Sequence, residues 1–66
     1  MNIFLNGEPR PLNGPHTVAA LLEAAGLAER RVAVEVNRQI VPKSQHGSHA
    51  LAEGDRVEII QAIGGG

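Results

Sequence analysis

The sequence ends in three glycines, and the last of them, Gly66, is expected to carry the α-carboxylate. Glycine has no Cβ atom and adopts almost any backbone conformation, so a glycine run can thread a carboxylate into a narrow active site. Such a run does little for folding, because glycine loses more backbone entropy on ordering than other residues do. The other interpretation is a frayed terminus without function, since chain ends are commonly disordered. The tail by itself leaves both interpretations open.

The other reactive side chains do not form a recognisable catalytic or metal site. His46 and His49 lie close in sequence, but no carboxylate or cysteine pattern typical of a metal site accompanies them, and His16 is distant. We expect these histidines to be exposed loop residues. No serine is spaced with a base and an orienting group, as an activated nucleophile requires. Glu53 and Asp55 flank a glycine and are predicted to serve a turn. The sequence therefore predicts no catalytic residue and no metal ligand.

Length and composition predict one small domain with an aliphatic core. The 66 residues include no cysteine, and Phe4 is the only aromatic residue. A formal net charge of −1 without a Lys/Arg cluster argues against nucleic-acid binding. The N-terminal residues lack the pattern of a signal peptide, and no apolar run approaches the roughly 18 residues that a membrane span needs. We therefore expect a cytoplasmic protein that binds neither nucleic acid nor membranes.

The first predicted hairpin turns at Asn6-Gly7, which is a strong sequence signal for a two-residue turn. The strand before it alternates apolar and polar residues, and the strand after it contains Pro9 and Pro11. Because proline lacks the N–H that a strand ladder needs, this second strand is expected at an edge of the sheet with both prolines facing out.

A single helix and further strands follow this hairpin. Thr17 is predicted to cap a helix whose apolar residues recur at i, i+3, i+4 and i+7 and which stops at Gly26. Alternating valines mark the next strand, and Asn37-Arg38 turns the chain into a short strand of residues 39–41. Residues 56–63 form the last predicted strand. The order ββαβββ predicts an α+β fold, a mixed sheet of four or five strands covered on one face by one helix. We expect the first and last strands to be adjacent and parallel at its centre.

Apolar residues are also predicted on the sheet face away from the helix. If Val57 and Ile59 point into the core, alternation along the strand places Ile60 on the opposite face. Phe4 has the same position in the first strand. Exposed apolar patches often mark partner surfaces, although isolated surface hydrophobic residues are ordinary. We predict that neighbouring strands bring Phe4, Ile60 and Ala62 into one patch leading to the tail. The predicted partner interface consists of Phe4, Ile60, Ala62 and Ile63.

Four segments carry a resemblance to a known family. They are residues 2–7 (NIFLNG), 17–22 (TVAALL), 36–42 (VNRQIVP) and 53–60 (EGDRVEII), and a terminal Gly-Gly follows them. With these segments the chain resembles, over its whole length, the sulfur carrier proteins of thiamin biosynthesis, the ThiS family. The resemblance implies a ubiquitin-like β-grasp fold, with residues 1–63 as the domain and residues 64–66 as a flexible tail.

The same resemblance implies that the chain is a carrier and not an enzyme. A ThiF-like adenylating enzyme would use ATP and Mg²⁺ to convert the Gly66 carboxylate to an acyl-adenylate. A sulfur donor protein would then replace the adenylate and leave a thiocarboxylate, from which thiazole synthase would accept the sulfur. Gly64 and Gly65 would give the carboxylate access through a constricted channel. The chain itself would bind no cofactor.

Three other interpretations remain open. The chain could be a sulfur carrier of the molybdopterin-synthase small-subunit type, MoaD. It could instead be a ubiquitin-like modifier that is conjugated to lysines, or a non-covalent interaction module whose glycines are incidental. The short length and the segment of residues 37–42 favour the thiamin family over the molybdopterin family.

Overall fold

Five strands and one α-helix form the part of the chain that the structure describes. The structure is a computed structural model, and it describes residues 1–61. The strands are β1 (Asn2–Leu5), β2 (Glu8–Pro11), β3 (Val32–Val36), β4 (Gln39–Val41) and β5 (Arg56–Gln61); helix α1 spans Val18–Ala24 and a short 3₁₀ helix spans Lys43–Gln45. The sheet order is β2-β1-β5-β3-β4. β1 and β5 are parallel, and the other neighbouring strands are antiparallel. The predicted α+β fold with its central parallel pair is confirmed.

Both hairpins turn through residues with positive φ. Asn6 and Gly7 have φ angles of 50° and 85°, and Asn37 and Arg38 have φ angles of 51° and 68°. Two-residue turns of this kind match the twist of the strands that they join. Asparagine enters the left-handed region more easily than most other residues do, so each turn begins with a suitable residue. The two predicted turns are confirmed.

β2 lies at one edge of the sheet, as its two prolines predict. Ladder bonds pass through the residues that alternate with Pro9 and Pro11, and the Leu12 N–H donates to the Met1 carbonyl oxygen at 2.7 Å. An edge strand with fewer free N–H groups is a poorer template for pairing with another chain. The prolines therefore disfavour pairing of another chain at this edge of the sheet and leave the pairing of β2 with β1 intact.

Helix α1 covers one face of the sheet, and the core lies between them. The Thr17 hydroxyl oxygen accepts the N–H of Ala20 at 3.1 Å, so the predicted cap is confirmed. Gly26, with a φ of 75°, follows the C-terminal end, as predicted. No helix among residues 1–61 is long and apolar enough to cross a membrane. The buried apolar residues are Ile3, Leu12, Val18, Leu21, Leu22, Val34, Val36, Val41, Leu51, Val57 and Ile59.

The prediction that the histidines are exposed is wrong for His46. Its side chain is only 8% exposed, and its Nε2 lies 3.1 Å from the Val41 carbonyl oxygen. Because a carbonyl oxygen only accepts, Nε2 carries the hydrogen and donates it. The His46 carbonyl oxygen in turn accepts the N–H of Ala19 at 2.8 Å. A buried imidazole is stable where it finds such a partner. His16 is exposed and His49 is half-buried.

Replacing His46 by leucine is expected to destabilise the fold. The Val41 carbonyl oxygen would lose its donor in a buried place, which costs about 1–3 kcal/mol of unfolding free energy. Urea unfolding followed by circular dichroism measures this loss. The matched control is His16→Leu, an exposed site where the change should stay within about 0.5 kcal/mol. Equal midpoints for the two variants would contradict a structural role for His46.

Candidate functional site

The sheet face opposite α1 carries large exposed apolar side chains. Phe4 is 39% exposed, Ile60 58% and Ile40 74%, whereas the sequence neighbours Ile3, Ile59 and Val41 are buried in the core. We call this side the open face. Its residues on the three inner strands and β4 are Asn2, Phe4, Ala33, Glu35, Ile40, Arg56, Glu58 and Ile60.

The strand register separates Phe4 from Ile60. Phe4 lies opposite Arg56, while Ile60 lies opposite Ala33. Arg56 and Ile60 are four residues apart on β5, which corresponds to about 13 Å along the strand. Glu58 lies midway between them on the same face. Both predicted residues therefore share the open face, but the prediction that they form one continuous patch is wrong. The register of a parallel pair is a tertiary property that alternation alone does not determine.

Ile40 belongs to the open face, although the sequence reasoning did not single it out. It lies opposite Glu35, which in turn lies opposite Glu58 on β5. The signal was present in the alternation, because once Val41 is assigned to the core its neighbour must point to the other face. The tail-proximal half of the open face thus combines exposed isoleucines with two carboxylates.

β5 leads directly to the predicted reactive tail. Its last residue, Gln61, lies opposite Val32, so Ile60 is the second-to-last residue of β5. Other predicted site residues, namely Ala62, Ile63, Gly64, Gly65 and Gly66, lie outside the described residues. Their roles, and the domain boundary after residue 63, stay predictions.

Two asparagine side chains hold β5 to the two hairpin turns. Asn37 Oδ1 accepts the Arg56 N–H at 3.0 Å, and its Nδ2 donates to Asp55 Oδ1 at 3.0 Å. Asn6 Oδ1 accepts the Ile59 N–H at 2.9 Å, and its Nδ2 donates to the Ile59 carbonyl oxygen at 3.4 Å. Both ends of β5 are therefore fixed by side chains as well as by the strand ladder.

Of the two acidic residues before β5, Asp55 serves the turn, as predicted, whereas Glu53 joins the turn to β1. Asp55 Oδ2 accepts the N–H of Ala52 at 2.8 Å, and Glu53 Oε1 accepts the N–H of Asn2 at 3.1 Å. Within residues 1–61, no three His, Asp or Glu side chains are grouped so that they could hold a metal ion.

Comparison with known proteins places this architecture in a family. The ThiS family model matches residues 3–66. A thiazole synthase from Paramagnetospirillum magneticum is 47% identical over the whole chain, which spans only 20% of the length of that protein. The sulfur carrier protein ThiS of Escherichia coli is 33% identical over the full length of both chains. A crystal structure of the thiamine biosynthesis protein ThiS from Geobacter metallireducens covers both chains fully, with 32% identity and a TM-score of 0.82.

The likeness extends through both sequence and fold. The five-stranded mixed sheet with one helix is the ubiquitin-like β-grasp fold that the resemblance implied. A family match from residue 3 to residue 66 leaves almost none of the chain outside it. The chain therefore belongs to the ThiS family.

Proposed function

We propose that this chain is a sulfur carrier of thiamin biosynthesis and that Gly66 holds the sulfur as a thiocarboxylate. The observation that carries the proposal is the family match across residues 3–66, which includes the glycine tail. A relative aligned over the full length of both chains is named a sulfur carrier protein. The described residues add a folded body whose open face carries the exposed Ile60 near the end of β5, the strand that precedes the tail.

A free carboxylate is a poor acyl donor, so activation comes first. In a ThiF-like adenylating enzyme with Mg²⁺, a Gly66 carboxylate oxygen attacks the α-phosphorus of ATP and pyrophosphate leaves. A persulfide on a sulfur donor protein then attacks the acyl carbon, and AMP leaves. A thiol reductant cleaves the sulfur–sulfur bond and frees the thiocarboxylate. Delivery of this sulfur to thiazole synthase, with water supplying the oxygen, restores the carboxylate.

In this scheme the chain is a co-substrate, and its partners supply the catalytic groups, the ATP and the Mg²⁺. The sequence has no cysteine, so the chain cannot carry sulfur as a persulfide of its own. Gly64 and Gly65 give the carboxylate a path without side chains into the partner's active site. We assign the chemistry to the cytoplasm because it consumes ATP.

The open face is the proposed docking surface for these partners. Ile60 and Ala33 offer apolar contact at the tail end of the sheet. Glu35 and Glu58 lie directly opposite each other beside them, an arrangement of like charges that disfavours the sheet. A basic side chain of a partner would relieve this repulsion and orient the complex. Phe4 would extend the contact along β1, with Ala62 and Ile63 completing it.

Thiazole synthase is the proposed sulfur acceptor. The Paramagnetospirillum magneticum thiazole synthase contains a region similar to this whole chain within one-fifth of its length. Joining carrier and acceptor in one polypeptide raises their effective concentration without any new contact. Where the two are separate proteins, the same encounter depends on a docking surface such as the open face.

Intact-mass spectrometry tests the proposal. The protein is incubated with the adenylating enzyme, ATP-Mg²⁺ and a sulfide source, and we expect replacement of one oxygen by sulfur, localised to Gly66 by fragmentation. Omission of ATP should prevent the change. An unchanged mass with an enzyme that activates its own carrier would refute the proposal. A ladder of lysine adducts would indicate a modifier, and conversion by molybdopterin-pathway partners alone would indicate the MoaD-type carrier.

A further inference from the structure

Asn6 lies where the ladder between β1 and β5 ends. Its N–H donates to the Val57 carbonyl oxygen at 2.9 Å, and the chain then turns away through Gly7 into β2. The next position along β5 that faces β1 is Ile59. No residue of β1 remains to pair with it, because the strand itself ends at Leu5.

The Asn6 side chain takes the place of the missing strand residue. Its Oδ1 accepts the Ile59 N–H at 2.9 Å, and its Nδ2 donates to the Ile59 carbonyl oxygen at 3.4 Å. One amide group thus meets both backbone hydrogen-bonding groups of a single β5 residue. The contact joins residues 53 positions apart in sequence, so it is a tertiary contact and not one of the turn's own hydrogen bonds.

This contact acts on the part of β5 that leads to the tail. Ile59 is buried in the core at 7% exposure, while Ile60 and Gln61, which follow it, are exposed. The Ile59 side chain anchors one face of the strand, and the Asn6 amide anchors its backbone from the side of β1. The ladder to β3 continues to Gln61, opposite Val32, and holds the other edge of the strand. The Asn6 amide therefore supplies the β1-side contact at the C-terminal end of β5.

We propose that Asn6 is a positioning residue for tail activation, because it holds the β1 side of the strand end that precedes the carboxylate-bearing residues. This inference rests on the proposed function, in which Gly66 is the reacting group. A misplacement of about 1 Å can lower the rate of a reaction by about 100-fold. The open face would dock unchanged, so the loss of Asn6 should lower kcat and leave KM unaltered.

Asn37 provides a matched control within the same chain. It is the same residue type at the same place in a turn, with a φ of 51° against 50° for Asn6. Its Oδ1 also accepts a β5 N–H, at 3.0 Å. That N–H belongs to Arg56, at the end of β5 remote from the tail. Loss of either side-chain amide removes a comparable contact to β5. Only Asn6 makes this contact near the C-terminal end of the strand, which precedes the tail.

The test compares Asn6→Gly with Asn37→Gly. Glycine adopts positive φ readily, so both turns should survive while each amide is lost. Carrier-dependent pyrophosphate release is measured with the adenylating enzyme and ATP-Mg²⁺, at a temperature where circular dichroism shows each variant folded. Asn6→Gly should lower kcat about tenfold with KM within about twofold, whereas Asn37→Gly should stay within about twofold of wild type in both constants.

A conservative variant and an exchange measurement complete the test. Asn6→Asp keeps the acceptor for the Ile59 N–H and loses the donor, so its kcat should lie between those of wild type and Asn6→Gly. It also carries the comparison if Asn6→Gly does not fold. Amide exchange by NMR should show faster exchange of the Ile59 N–H in Asn6→Gly than in Asn37→Gly.

Two results would overturn the assignment of Asn6. Equal kcat values for Asn6→Gly, Asn37→Gly and wild type would show that the contact is structural only. A rise in KM without a change in kcat would show that Asn6 belongs to docking. A different failure is recognisable, because wild-type protein that releases no pyrophosphate with a competent enzyme would refute the proposed function itself.

Discussion

Deletion of Gly66 is expected to abolish activation and leave the fold intact. The buried core of residues 1–61 extends from Ile3 to Ile59, and a glycine has no side chain to bury, so we expect its deletion to cost the fold little. Removing one residue withdraws the carboxylate by up to about 3.5 Å along an extended chain. Reaction in an active site requires reacting atoms within about 3–3.5 Å of each other, so a shift of this size should lower the rate at least about 100-fold. Pyrophosphate release measures the loss, and thermal unfolding verifies the fold.

Two further variants separate length from shape. Appending one glycine also displaces the carboxylate by one residue while keeping all of the original chain, and it should be inactive for the same reason. Gly66→Ala keeps the distance and adds a methyl group, which tests whether the partner's channel is too narrow for a Cβ atom. A deletion variant adenylated at the wild-type rate would show that Gly66 is not the attachment residue.

Much of the fold is predictable because its boundaries are marked by local chemistry. Asn6-Gly7 needs no tertiary contact to favour a tight turn, and prolines disfavour an inner strand wherever they occur. Thr17 and Gly26 define the helix ends in the same local way. The central parallel pair follows from placing the most regular apolar strands where both sides are paired.

The details that escape prediction are long-range. The burial of His46 depends on meeting the Val41 carbonyl oxygen at the end of another element. Phe4 pairs with Arg56 and not with Ile60, because this pairing depends on how far β1 and β5 are shifted along each other. Alternation assigns a residue to a face, but only the assembled sheet assigns it a neighbour. The candidate docking face was therefore predictable, and its internal arrangement was not.

The second large effect is expected from Ile60→Asp, which should weaken docking to the adenylating enzyme. Ile60 is 58% exposed, so its replacement costs the fold little. Burying an isoleucine against a partner contributes about 1.5–3 kcal/mol, and the new carboxylate would lie on the face that already carries Glu58 and Glu35. A loss of about 2–3 kcal/mol corresponds to a KM about 30- to 150-fold higher. Steady-state pyrophosphate release over a range of carrier concentrations measures it.

Ile40→Asp is the matched control for this variant, because it adds the same charge to the same face. Ile40 is more exposed, at 74%. It belongs to the edge strand β4 and lies opposite Glu35 of β3. If docking is centred at the tail end of β5, its KM should rise by less than about threefold, as expected for a position at the rim of an interface. An equal rise in both variants would indicate general charge repulsion, and an unchanged KM for Ile60→Asp would remove Ile60 from the interface. Since Ile60 should act through KM and Asn6 through kcat, the two variants together separate docking of the body from presentation of the tail.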